Sequence, residues 1–179
     1  MSISGFLRFG FDDRIKWRQM RSIIAATIGQ EMTKMGFKNP GYIMYRHREF
    51  FVDVMQFVRS EDGNFYSIAV GTHPRKDISQ KNFPHAWRCM FIGVFQAGSA
   101  KRASFPIFPT QEWNKEQLLR MAPDVVQYCD FFFGHFHTIQ DGLKALEEDN
   151  RYDDLLMDKA KVGSPRHEAD YQLLQSLQF

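Results

Sequence analysis

Arg46 and Arg48, in the run Tyr45-Arg46-His47-Arg48-Glu49, are the residues whose spacing points most directly to chemistry. On an extended strand, side chains two apart share a face, so the two guanidinium groups would stand about 7 Å apart. Such a pair can clamp a phosphate or a carboxylate. The same charges also suit an edge strand, where they discourage pairing with another chain. Asp53 belongs to this set because it interrupts the apolar run Phe50–Ser60. A buried carboxylate needs a partner, and Arg46 or Arg48 on the preceding strand can supply one.

His85, Trp87 and Cys89 form a second set. The stretch His85–Gln96, HAWRCMFIGVFQ, reads as a strand by its aromatic and apolar content. On that strand the imidazole, the indole and the thiol would share one face. A nucleophilic cysteine needs a lowered pKa and an oriented base. Cys89, flanked by Trp87 and Phe91 on its face, reads instead as a small buried hydrophobe. The candidate ligand-binding residues are therefore Arg46, Arg48, Asp53, His85 and Trp87, and no catalytic residue is assigned.

A third possibility lies in the aromatic run Asp130–Gly142, DFFFGHFHTIQDG, where His135 and His137 form a His-x-His. On a strand that pair could ligate a metal. However, Val125, Cys129, Phe132, Phe136, Ile139, Leu143 and Leu146 are spaced 4, 3, 4, 3, 4, 3. This regularity predicts one helix from about Pro123 to Glu148. At about 100° per residue the two imidazoles then point roughly 200° apart and cannot share a metal. No metal and no cofactor are expected. No Ser-His-Asp order, carboxylate dyad, Gly-rich nucleotide fingerprint or His-Glu-x-x-His stands out, which lowers the expectation for the familiar enzyme classes.

The elements that must position these residues follow from pattern. Ile15, Met20, Ile24, Ile28, Met32 and Met35 recur at helical spacing between Asp13 and Met35, with Asp12 or Asp13 as cap and Gly36 as terminator. After the Pro40-Gly41 turn the period becomes two. Tyr42–Arg48, Phe50–Ser60, Phe65–His73 and His85–Gln96 read as four strands, with Asp62-Gly63 in a hairpin turn. The second strand is apolar on both sides, so both its faces should be covered. Ala97–Thr110 reads as a loop. Beyond it, Asn114 can cap a short helical turn and Pro123 suits the first turn of the next helix. Ser164 and Pro165 open a tail helix with Leu173, Leu174 and Leu177 on one side.

Short links between strands favour an antiparallel meander. The expected fold is α+β: a two-layer, mainly antiparallel sheet of about four strands, with an N-terminal helix and C-terminal helices packed on it. Residues 1–150 read as one domain, and 151–179 as a linker and a C-terminal helix that packs either on its own domain or on a second subunit as a homodimer. The 179 residues suffice for one core, and 18 phenylalanines imply a heavily packed interior. With 23 basic against 21 acidic residues, both signs interspersed, no nucleic-acid partner is expected. Arg8 and Asp12 interrupt the apolar N-terminus, which is unlike a signal peptide, and no stretch approaches the roughly 20 apolar residues of a membrane span. Two cysteines in unrelated contexts make no disulfide framework, so the cytoplasm is the expected compartment.

The run Glu31–His73, EMTKMGFKNPGYIMYRHREFFVDVMQFVRSEDGNFYSIAVGTH, resembles a bacterial family of uncharacterised proteins, the domain-of-unknown-function 4304 family. The shared features are a helix ending in Met35-Gly36-Phe37-Lys38, an aromatic before arginine at Tyr45-Arg46, valines before Gln56, and a hairpin returning to Gly71. PHAWRCMFIGV is similar to that family's Trp-x-Cys segment, and VVQYCDFFFGHF to its later helix, so the resemblance spans roughly Ile15 to Glu148. After Cys89 the family's arginines are replaced by Met90, Phe91 and Ile92, which argues against a basic site there. The resemblance implies an α+β fold and an intracellular bacterial protein, and it brings no established activity and no catalytic residue.

Two functional expectations result. The first is a small cytoplasmic, non-catalytic domain that binds another protein or itself. The alternative is a cleft on the sheet face, binding an anionic ligand or catalysing its conversion, built from Arg46, Arg48, His85 or Trp87.

Overall fold

Met20, Ile24, Ile28 and Met32, four residues apart, are all fully buried. In the computed structural model, which describes residues 17–77, 84–98, 102–147 and 165–178, they lie on α1 (Trp17–Ala26) and α2 (Ile28–Lys34). The proposed caps Asp12 and Asp13, and Ile15, fall outside the described residues. The single helix expected to Met35 is in fact two, broken at Thr27, whose hydroxyl donates to the Ile23 carbonyl at 2.7 Å. A hydroxyl bonded back to the preceding turn bends a helix, yet the buried stripe keeps its phase across the break. Gly36, at φ +89°, ends α2 in the left-handed conformation that glycine adopts most readily.

The antiparallel meander is present. β1 (Ile43–His47), β2 (Phe51–Arg59) and β3 (Phe65–Pro74) pair in chain order, and β4 (Phe91–Val94) lies beside β3. A fifth strand, β5 (Phe105–Pro106), pairs with the start of β3 inside the stretch expected to be loop. The fold is α+β. On one face of the sheet, Phe51, Met55, Phe57, Tyr66, Ile68 and Val70 join a core to which every described α-helix contributes. On the other, Val54, Ala69, Ile92 and Val94 meet Ala86 and Cys89, so β2 is covered on both sides.

That outer cover corrects the expected fourth strand. Ala86–Arg88 form a turn of 3-10 helix, and the strand begins only at Phe91. Gln56 explains the departure: its side-chain carbonyl accepts from the Ala86 amide at 2.9 Å, and its amide lies 3.1 Å from His85 Nδ1. The turn approaches β3 at Gly71, where an added Cβ would lie 2.7 Å from Cys89 Cβ and 2.8 Å from the Ala86 carbonyl oxygen.

The helix expected from Pro123 to Glu148 is also two. α3 runs from Gln111 to Gly134 with Pro123 in its interior, and α4 from Ile139 to Glu147. Thr110, not Asn114, caps α3, accepting from the Trp113 amide at 3.3 Å. Asn114 instead turns inward and bonds the backbone of Phe108 and Thr110. An interior proline costs about 3 kcal/mol. The helix runs through it because Leu118, Ala122, Val125, Cys129 and Phe132 are buried as one stripe, and packing decides helix stability in proteins. α4 starts at a capping box: Thr138 Oγ1 accepts from the Asp141 amide, and the Asp141 carboxylate accepts from the Thr138 amide at 2.7 Å.

The tail helix α5 (Pro165–Ser176) packs on α4. Leu174 is fully buried and lies close to Gly142, while the Tyr171 hydroxyl donates to Glu147 at 2.7 Å. Of the apolar side Leu173, Leu174 and Leu177, Leu174 is buried within the chain and the other two are half-buried. The expected linker and the Ser164 cap lie outside the described residues.

Candidate functional site

Register brings the first set together. Asp53 lies directly opposite Arg46 on β1 and Thr72 on β3, on the helix-facing side of the sheet. Its side chain is fully buried. Oδ2 accepts from Arg46 Nε at 2.9 Å and Nη2 at 2.7 Å, and Oδ1 accepts from Arg48 Nη2 at 2.6 Å and the Thr72 hydroxyl at 3.0 Å. Both arginines serve the carboxylate, where either one would have met the requirement read from the sequence. Thr72, which the sequence reading missed, was detectable only through the β2–β3 register.

Each arginine also reaches the C-terminal end of a helix. Arg46 Nη1 donates to the Met35 carbonyl at 3.2 Å, beyond α2, and Arg48 Nη1 to the Phe133 carbonyl at 3.1 Å, in the last turn of α3. Cations are favoured there by the unpaired carbonyls and the helix dipole. The Arg46 guanidinium lies 4.9 Å from the Phe37 ring centroid and 5.3 Å from that of Phe133, within cation–π range. Phe133 is thus covered by Arg46 together with the Phe37 and Phe132 rings, whereas Phe131 remains on the surface beside His135.

The cluster is not closed to solvent. Each arginine side chain keeps 19% of its exposure, and above them opens a cleft of about 280 Å³ lined by Arg46, Arg48, Asp130, Phe133, Gly134 and His137. Two guanidinium groups carry ten N–H donors. Arg46 places three and Arg48 two on protein acceptors, so five remain. Arg48 Nε is among these, buried and without a hydrogen-bond partner. Two cations against one carboxylate leave the cluster a formal charge of +1.

The second set lies elsewhere. His85 is tied to Gln56 on the outer face of the sheet, and Trp87 stands on the 3-10 turn, 42% exposed. Because that segment is not a strand, His85, Trp87 and Cys89 do not share a strand face. Cys89 is buried, and its thiol faces the His85 carbonyl at 3.7 Å. Burial pushes the Cys89 thiol up, and the Asp53 charge adds to the shift. Burial does the same to Cys129. A raised thiol is a poor nucleophile near neutrality.

The two histidines of the aromatic run sit in the break between α3 and α4. The argument from angles on one helix therefore does not apply to them. His135 Nδ1 is 2.6 Å from the Phe131 carbonyl, and the His137 amide donates to Asp141. Among the described residues, no group of three or more His, Cys, Asp or Glu is placed to hold a metal, and no helix is long and apolar enough to cross a membrane.

These features define a class: an α+β domain with helices on one face of an antiparallel meander and a buried Arg-Asp-Arg cluster beneath an open cleft. Compared with protein-family models, with curated proteins and with solved structures, the chain matches none.

Proposed function

We propose that this protein is a small, non-catalytic binding domain whose ligand presents an anionic group to the cleft above Arg46 and Arg48. The observation that carries this reading is the surplus of cationic donors: besides the buried Arg48 Nε, four N–H groups of the two guanidiniums are left over beside a carboxylate that already accepts four hydrogen bonds. Unpaired donors next to an open space are complementary to a carboxylate or phosphate. The cleft sits at the lower edge of the range for small-molecule sites, about 300 Å³ and upward, so the anion is a small one. NMR titration of the arginine Nε–H signals with acetate and with inorganic phosphate tests the site. A saturable shift of the Arg46 and Arg48 signals is expected, and the affinity read at Arg46 should weaken about tenfold in Arg48→Lys through loss of the planar fork. Arginine signals that stay fixed across the titration would refute it.

A second reading, with a protein as partner, draws on α3. Trp113 and Phe131 are each 54% exposed. They are 131 − 113 = 18 residues apart, five full turns, and so share one side of the helix over about 27 Å. Exposed Trp is the residue type most enriched in binding hot spots. Capture from the native host compares the wild type with a Trp113→Ala/Phe131→Ala variant. A stoichiometric partner retained by the variant excludes this surface.

Membership of the domain-of-unknown-function 4304 family and a bacterial cytoplasmic setting belong to the same proposal. The first rests on the Met35–Lys38, Tyr45-Arg46 and Val52–Gln56 features. Within the second, the bacterial source follows from that resemblance, and the cytoplasmic compartment rests on two cysteines kept as buried thiols.

A further inference from the structure

Asp130 shares the cleft with the two arginines, and its position changes what the cleft can select. It projects from α3 one turn before Gly134, while Arg48 meets the end of the same helix through the Phe133 carbonyl. Summing the charges that face or underlie the cleft, Arg46 and Arg48 give +2, Asp53 and Asp130 give −2, and the total is zero with His137 neutral. The charge is nonetheless separated. Asp53 lies beneath the arginines and is saturated by them, whereas Asp130 stands exposed at the wall. A simple anion bound on the guanidinium groups would be repelled by the Asp130 carboxylate. A ligand carrying a cation as well as an anion would convert that repulsion into attraction.

We infer that the cleft selects a small zwitterion, with its carboxylate on Arg46 and Arg48 and its ammonium group toward Asp130. This rests on the anion-binding reading above and narrows it to amino-acid-like ligands. The Phe133 ring in the cleft wall offers apolar contact for the short chain between the two charges. His137, on the same wall, can hydrogen-bond the carboxylate.

The test is a titration series on the full chain with acetate, glycine, β-alanine and 4-aminobutyrate, read from the Arg46 and Arg48 Nε–H signals. An exposed ion pair is worth roughly 0.4–1 kcal/mol in the upper part of its usual range, so the best-fitting amino acid should bind about two- to fivefold more tightly than acetate. Asp130→Asn, an exposed substitution that leaves the core untouched, should erase that preference and leave acetate bound as well as before or better. If acetate binds and no amino acid is preferred, or if the preference survives in Asp130→Asn, the zwitterion inference is wrong while the anion site stands. If neither acetate nor any amino acid binds, both fall.

Discussion

The two faces of the sheet solve the same problem, covering strand β2, by opposite means. On the helix side a charge is buried and surrounded: Asp53 gathers Arg46, Arg48 and Thr72, and the arginines reach on to the ends of α2 and α3. On the outer side there is almost nothing to surround. Gly71 has no side chain, and the 3-10 turn at Ala86–Arg88 settles into the vacated space with Cys89 beneath it. One face is held by long-range polar bonds and the other by close approach. The difference teaches why residues of similar chemical promise, arginine and histidine near apolar strands, end with different partners.

The largest effect should come from the polar face. Asp53→Ala leaves two partly buried guanidinium groups without their carboxylate, and removing one partner of a buried ion pair costs about 3–5 kcal/mol. Urea denaturation measures the loss. A cost below about 1 kcal/mol, the range of exposed pairs, would erase the distinction between the faces.

Gly71→Ala probes the other face. Its new methyl group meets the Cys89 side chain and the Ala86 carbonyl at under 3 Å. Overpacking of this kind costs about 1–3 kcal/mol. The turn should lift and Cys89 should become reactive to a thiol reagent in the folded state. A variant as stable as the wild type, with Cys89 still protected, would show that the two layers are not in tight contact.

The smallest effect is one of pH and touches both sides. Cys89 and Cys129 are raised above the ordinary thiol value of 9.0 by burial. The folded protein therefore keeps these protons after the unfolded chain has lost them, and stability falls as pH rises past about 9. The slope is at most about 1.4 kcal/mol per pH unit for each thiol. Denaturation at about pH 8 and about pH 10 measures it, and Cys89→Ala should remove one thiol's share. An unchanged slope in that variant would contradict the buried position of Cys89.

Local physics made much of this fold legible. Gly36 and Asp62-Gly63 mark their turns because few other residues tolerate those backbones. Alternation sorted Tyr66, Ile68 and Val70 onto one face. Asp53 was expected to pair with an arginine because a buried carboxylate has few other options. The misses have equally definite causes. Phe136 and Ile139 stay three apart across the break between α3 and α4, so the apolar spacing stays in phase and hid it. Thr138-x-x-Asp141 was the available signal. At His85–Cys89 strand-like composition was overruled by one distant side chain, Gln56. The cleft was beyond reach, since it needs β1 and the end of α3 to converge from 85 residues apart in the chain.

That separation has a consequence in time as well as in space. β1, β2 and β3 lie side by side in chain order and are joined by two short turns, so this part of the sheet can assemble by closing short loops in succession. The bond from Arg48 to Phe133 closes 85 residues. Its entropic cost, scaling as about 1.5 RT ln n, is roughly 4 kcal/mol against about 1.4 for a five-residue hairpin. The meander, with the bonds from Arg46, Arg48 and Thr72 to Asp53, can therefore form before α3 is in place, and α3 adds the long-range tie at the Phe133 carbonyl.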